Sequence, residues 1–333
     1  MSTIKTINLK NRPQGKPQLS DFDFTTAEVA ELKEGEVLLK TTYVSVDPYL
    51  RGRMVDAESY IEPFELNKPI VSGCVAEVLE SKDSALSAGD FVTGLLEWKE
   101  QQVTKAEQLK KVDPNQAPLS AYLGVLGATG LTAYFGLTDI GKPNKGETLL
   151  VSGAAGAVGT VVGQIGKILG LRIVGIAGTD EKIEMIKSEF GYDEGINYKT
   201  TGNMKEAIAK ACPDGVDIYY DNVGGEISEA ALFNINKFSR TVVCGAISVY
   251  NATEMPKSIS VQPFLIKKSS SMQGFVIFDY KDRHPEGIQQ LATWLKEGKL
   301  QYEETIQEGF DNIPQAFLDL FEGKNKGKML VKV

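Results

Sequence analysis

Apolar and polar positions alternate through the first third of the chain. V-L-L-K-T-T-Y-V-S-V (37–46) and V-S-G-C-V-A-E-V-L-E (71–80) are rich in β-branched residues and predict strands. A-G-D-F-V-T-G (88–94) reads as a turn feeding another short strand, and Asp47-Pro48 and Lys68-Pro69 act as breakers. No convincing helix-period run occurs before residue 120. There the pattern changes. L-S-A-Y-L-G-V-L-G (119–127) and T-G-L-T-A-Y-F-G-L (129–137) have helical spacing, and short apolar runs then alternate with helical ones. Strands are expected at 147–153, 171–178, 216–223, 240–247 and 271–278, with helices at 158–170, 180–191, 203–211 and 226–237. Gly191 is the expected C-cap of the 180–191 helix. A last helix follows Pro285, and K-M-L-V-K-V (328–333) is a closing strand.

This order of elements implies an α/β chain. Strands alternating with helices give a doubly wound parallel sheet, and unbroken apolar runs such as T-L-L-V suit strands covered on both faces. The expected organisation is a doubly wound domain over 122–283, inserted between terminal segments 1–121 and 284–333 that fold together.

Composition narrows the function. The 333 residues are 42% hydrophobic and 24% charged, enough for two domains with a large core. A net charge of −8 argues against a nucleic-acid footprint but leaves room for a local anion site. Three scattered cysteines and one histidine, His284 in a polar turn, give neither a disulfide framework nor a zinc ligand set, so no metal is expected. A Ser-His-Asp mechanism would have to use His284 as base. The N-terminal segment lacks an apolar signal core and no apolar run reaches 18 residues, which makes a cytoplasmic setting the expectation, without a membrane partner.

The chemistry concentrates in L-L-V-S-G-A-A-G-A-V-G, where Ala154, Gly156 and Gly159 occupy the three glycine-fingerprint positions. The turn follows a strand and opens a helix, the context in which helix N-terminal amides bind a pyrophosphate. Without a ligand, the same glycines would only pack helix on strand. About 20 residues further on, an NAD site carries an acid. Here Gly178 and Thr179 hold that place, and Lys182 follows. A small residue and a cation suit a 2′-phosphate, hence NADPH, unless Lys182 is simply a solvated helix residue.

Beyond these features the sequence resembles the zinc-independent medium-chain dehydrogenase/reductases, in the group of prostaglandin, 2-alkenal and bacterial curcumin reductases. The marks run nearly end to end: S-V-D-P-Y-L-R-G-R-M (45–54), G-L-T-A-Y-F-G-L (130–137), S-G-A-A-G-A-V-G (152–159), G-T-D-E-K (178–182), I-N-Y-K-T (196–200), Y-D-N-V-G-G-E (220–226), C-G-A-I-S-V-Y-N (244–251) and G-K-N-K-G-K (323–328). The resemblance implies a GroES-like β-rich catalytic domain around a Rossmann domain. It also implies NADPH-dependent reduction of the C=C bond of α,β-unsaturated aldehydes and ketones. In matching positions, Gly156, Ala157 and Val158 would line the pyrophosphate turn, with Gly178, Lys182 and Tyr198 at the 2′-phosphate. Asn222, Cys244, Phe275, Val276 and Asn325 would meet the rest of the cofactor, Tyr250 the cofactor and the substrate oxygen, and Tyr49 the substrate pocket. Relatives of this kind leave a homodimer open.

Two segments depart from the family pattern: Thr129 stands where proline is usual, and E-W-K-E-Q (97–101) replaces an aromatic stretch. Hydride addition to the β-carbon of an enone puts charge on the carbonyl oxygen, which a phenol O–H could stabilise and later protonate. Tyr250 could equally be a rim tyrosine with a structural hydrogen bond, and Tyr49, Phe275 and Val276 plain packing residues. Cys74 and Cys244 read as small buried hydrophobes. Quinone reduction is the near alternative. A redox sensor that binds NADPH without catalysis is the distant one.

Overall fold

A computed structural model describes residues 3–254 and 256–333. The chain divides into two compact units. The first runs through Gly124 and takes up Thr305–Asn325 and Met329–Val333; the second is Val125–Glu304 with Lys326–Lys328.

The first unit is built on antiparallel strands: β1 (Thr3–Leu9), β2 (Phe22–Glu28), β3 (Glu36–Ser45), β4 (Val71–Ser81), β5 (Phe91–Glu97), β6 (Gln101–Lys105) and β7 (Lys110–Val112). A four-residue helix, α1 (Leu50–Arg53), follows β3. β1 and β2 form a hairpin-like pair that the alternation rule missed, because the intervening chain is long and β2 is buried only at Phe22. The chain's last elements are β14 (Glu304–Glu308), α9 (Ile313–Glu322) and β15 (Lys328–Lys332), and they extend the sheet β14-β15-β3-β4-β5-β7, with β6 also on β3. Trp98 lies at the centre of this core. It is fully buried, stacks on Phe22, and donates its indole N–H to Ser72 Oγ at 2.8 Å. The unusual segment 97–101 therefore carries a core tryptophan.

The second unit is a parallel sheet: β8 (Thr148–Ser152), β9 (Arg172–Ala177), β10 (Glu194–Asn197), β11 (Val216–Asp221), β12 (Ile235–Val243) and β13 (Ser271–Gly274). Their order is β10-β9-β8-β11-β12-β13. Counted within the unit this is 3-2-1-4-5-6, the doubly wound order of dinucleotide-binding domains, with its switch point between β8 and β11. Every residue of β8 is buried, as strands covered on both faces require. The interleaved helices are α2 (Ala128–Phe135), α3 (Gly159–Ile168), α4 (Asp180–Ser188), α5 (Met204–Ala211), α6 (Gly225–Leu232), α7 (Gln262–Lys268) and α8 (His284–Lys296).

Several boundaries differ from expectation. The run 119–127 is a 3-10 turn (Leu119–Leu123) within the first unit. The 226–237 helix ends at Leu232, and β12 then starts at Ile235 and stops at Val243, so Cys244 lies just beyond a strand. β13 likewise ends at Gly274, which puts Phe275 and Val276 in the following loop. α4 ends at Ser188 with Glu189 as its C-cap, two residues before the expected Gly191, whose left-handed backbone returns the Tyr192 amide to the Ile186 carbonyl. Residues 284–304 pack in the second unit rather than with the terminal segments, since α8 lays Gly287 against Leu131 and Phe135 of α2. His284 opens α8, with Nε2 3.0 Å from the Ile277 carbonyl.

Candidate active and cofactor site

Of the residues expected to bind cofactor, those of the second unit lie toward the C-terminal edge of its parallel sheet. After β8, left-handed Gly153 reverses the chain and the Ala154 amide returns to the Ile176 carbonyl of β9. A Cβ on Gly159 would stand 2.4 Å from the Gly153 carbonyl oxygen and 2.7 Å from Ala154 Cα, so only glycine lets α3 start this close to the turn. Among the described residues, the amide of Val158 donates to no backbone carbonyl. It is an unpaired donor of a helix N-terminus, which is what an anion needs. Gly156, Ala157 and Val158 are partly exposed, whereas Ala154, Ala155 and Gly159 beneath them are buried.

At the end of β9, Gly178 faces the ring of Tyr198, and a Cβ there would stand 3.0 Å from the phenol oxygen. Thr179 caps α4, its hydroxyl accepting from the Lys182 amide at 3.2 Å. The nearby carboxylate, Asp180, is turned to Asn197, which donates to it at 2.7 Å. Burial, then the neighbouring ammoniums of Lys199 and Lys326, hold Lys182 below the ordinary lysine range. Three cations thus converge where the strand tip carries no acid. That set fits a dinucleotide with a 2′-phosphate better than one with a 2′-hydroxyl. Lys199 and Lys326 were not singled out from sequence. Lys326 reaches this corner because the Gly327 amide donates to the Ala155 carbonyl at 2.9 Å and Gly327 bridges to Gly156.

Across the switch point, Asp221 at the end of β11 organises the other half. Its Oδ1 accepts from Ser152 Oγ (3.0 Å), Tyr219 OH (2.8 Å), and the amides of Val223 (3.0 Å) and Gly224 (2.9 Å). Its backbone carbonyl accepts from the amides of Cys244 and Gly245. Asn222 is fixed to β8 twice, its amide donating to Ser152 Oγ (2.9 Å) and its Nδ2 to the Ser152 carbonyl (2.7 Å). Asp221 is a centre that no motif reading had named, since its significance lies in the loops it ties rather than in any spacing.

Tyr250 folds back over this loop. Its hydroxyl accepts from the Ala246 amide at 3.2 Å and lies near Gly245, whose Cβ would meet it at 3.3 Å and the Asn222 carbonyl at 3.2 Å. Burial raises the phenol's pKa, an effect the Ala246 hydrogen bond moderates. The hydroxyl accepts from Ala246 and so keeps its own proton to donate. Cys244 is partly exposed as a residue, but its sulfur is buried against Tyr220, and burial pushes the thiol up to about 12. That thiol is a packing group, not a nucleophile. The Phe275 ring packs inward, close to Gly136 and edge-on to Tyr280.

Tyr49 and Asn325 belong to the first unit. Tyr49 precedes α1, packs against the unit's core, and has its phenol pKa raised by burial and then by Asp47. Asn325 sits between α9 and β15. Among the described residues, no group of three or more His, Cys, Asp or Glu is arranged to hold a metal ion, and no helix is long and apolar enough to cross a membrane.

Known proteins carry the same architecture. A family model described as the N-terminal domain of oxidoreductase matches residues 5–112, and one described as zinc-binding dehydrogenase matches 157–296. An NADPH-dependent curcumin reductase of Escherichia coli is 43% identical over 98% of this chain and 95% of its own length. The chain belongs to the medium-chain dehydrogenase/reductases, in the group of the prostaglandin, curcumin and 2-alkenal reductases. It is an enzyme of the NADP-dependent oxidoreductases. The YfmJ protein of Bacillus subtilis, whose own assignment as an NADP-dependent oxidoreductase is provisional, is 59% identical over 98% of this chain and 97% of its own. A 2-alkenal reductase of Nicotiana tabacum is 41% identical over 99% of this chain and 97% of its own. The crystal structure of CurA from Vibrio vulnificus in complex with NADPH superposes with a TM-score of 0.94 at 40% identity, covering 99% of both chains.

Proposed function

We propose that this enzyme uses NADPH to reduce the C=C bond of α,β-unsaturated aldehydes and ketones. The observation that carries the reading is the Tyr250 hydroxyl: it accepts from Ala246, keeps its proton to give, and stands beside Asn222 at the sheet's switch point. NADPH, when bound, supplies the hydride that adds to the β-carbon. The chain's own residues do the rest. Gly156, Ala157 and Val158 receive the pyrophosphate, Gly178, Lys182 and Tyr198 the 2′-phosphate, and Asn222, Cys244, Phe275, Val276 and Asn325 the remainder of the cofactor. Tyr250 donates a hydrogen bond to the substrate carbonyl oxygen as charge develops there, and Tyr49 contributes to the substrate pocket. A phenol is protonated at neutral pH, the state such a donor needs, and the burial that raises the Tyr250 pKa acts in the same direction.

The test is NADPH oxidation against a panel of enals, enones, nitroalkenes and quinones, with the products identified by mass. Saturated carbonyl products are expected, and Tyr250→Phe should lower kcat on an enone about 100-fold while NADPH affinity stays within about twofold. Turnover confined to quinones would replace the reading with quinone reduction. Tight NADPH binding with no turnover on any acceptor would favour a cofactor-binding sensor.

A further inference from the structure

We propose that Lys326 and Glu181 form a charge switch that sets the enzyme's preference for NADPH over NADH, with Lys326 as a further 2′-phosphate ligand and Glu181 as its competitor. The inference rests on the cofactor reading above and deepens it.

Lys326 Nζ lies 2.5 Å from Glu181 Oε1. Glu181 is in the first turn of α4, immediately before Lys182, so the pair stands at the rim of the corner formed by Gly178, Lys182 and Tyr198. The pair is also exposed, Glu181 at 73% and Lys326 at 37% of the side chain. An exposed pair of this kind contributes little stability and exchanges partners readily. Two features keep the cation at this corner. Gly327, next in sequence, is pinned to the phosphate turn through the Ala155 carbonyl and the Gly156 bridge. Its backbone is left-handed, and a Cβ there would stand 1.9 Å from the Glu303 carbonyl oxygen, so the segment's path admits only glycine. Lys182 senses Lys326 as a like charge, which fits a common anionic guest for both.

A phosphate dianion is a stronger partner for an ammonium than one carboxylate, because it offers more acceptor oxygens and more charge. With the 2′-phosphate in place, Lys326 is therefore expected to turn from Glu181 toward it. The carboxylate left behind opposes the phosphate by like charge. A dinucleotide with a 2′-hydroxyl gains nothing from the exchange and leaves the pair intact. The two residues thus act on the same phosphate with opposite signs.

The experiment measures dissociation constants of NADPH and NADH by cofactor fluorescence for the wild type, Lys326→Gln, Glu181→Gln and the double variant, at low and high salt. Lys326→Gln is expected to weaken NADPH about tenfold and NADH by less than about twofold. Glu181→Gln should tighten NADPH severalfold, because it frees Lys326 and removes the competing charge. Both effects should shrink at high salt, and the double variant should not be the sum of the singles. Equal changes for both cofactors, or no tightening in Glu181→Gln, would overturn the switch. Wild-type protein that binds neither cofactor would instead overturn the reading on which the switch rests, so the two failures are distinguishable.

Discussion

The two ends of the candidate site are built from different materials. At the phosphate end, half-buried Lys182 and the more exposed Tyr198, Lys199 and Lys326 stand around Gly178, and the cations there remain close to solvent. At the reaction end, buried Asp221, Ser152 and Tyr219 and half-buried Asn222 form a hydrogen-bond network that ties the β11 and β12 loops to the sheet and so fixes the floor on which Tyr250 rests. The contrast matches the demands of each task. Binding a phosphate needs charge and tolerates small displacements, since Coulomb attraction falls slowly with distance. Stabilising a developing oxyanion needs a donor held in place beforehand, and buried, fully paired networks provide that rigidity.

Substitutions at the two ends should therefore fail in different ways. The largest effect is expected from Asp221→Ala, which strands several buried donors. Stability should fall by about 3 kcal/mol or more in urea unfolding, and enone turnover should fall further than NADPH affinity. If only stability fell, Asp221 would be a packing residue with no part in placing the Tyr250 loop. At the opposite end Lys182→Ala should leave the unfolding midpoint nearly unchanged and weaken NADPH about tenfold, read as a fluorescence titration. A large stability loss there would erase the distinction between the two ends.

The smallest effect is a control at the other end of β8. Glu147 accepts from Arg240 at 2.9 and 2.6 Å, and both side chains are mostly buried. Burial alone would raise the Glu147 pKa, but the hydrogen bonds from Arg240 and then Asn144 outweigh it and hold the carboxyl below its ordinary value of 4.5. A carboxyl depressed on folding contributes stability that is present above its unfolded pKa and is lost as pH falls through the folded one. Glu147→Gln should thus cost about 1 kcal/mol at pH 7. The gap from wild type should close below pH 4.5, and NADPH affinity should not change. A gap that persisted unchanged at pH 3 would show that packing, not charge, is what the pair supplies.

The elements of the second unit could be read with little ambiguity because parallel strands buried on both faces are unbroken apolar runs, as T-L-L-V-S and R-I-V-G-I-A are. The phosphate turn was equally visible, since the close approach at Gly159 forbids any side chain and leaves a glycine in the sequence. The first unit was harder. β2 buries only Phe22 fully and turns Phe24 outward, so the apolar positions of F-D-F-T-T-A-E do not follow its alternating burial. Domain membership of α8 was misread as well, because an amphipathic helix shows that it has a buried face but not what it is buried against.

The site divides along the same line. By itself the sequence determined the parallel α/β domain, the glycine turn and the missing acid at Gly178, each a local requirement that leaves its mark on neighbouring residues, whereas Tyr250 was singled out only through the family resemblance. Only the tertiary structure brought Lys326 to Glu181, 145 positions away, and gathered Ser152, Tyr219 and two loop amides on Asp221. Local geometry constrains which residue may stand at a position. Convergence of distant side chains is fixed by the path of the chain, and in a single sequence that path has no period to read.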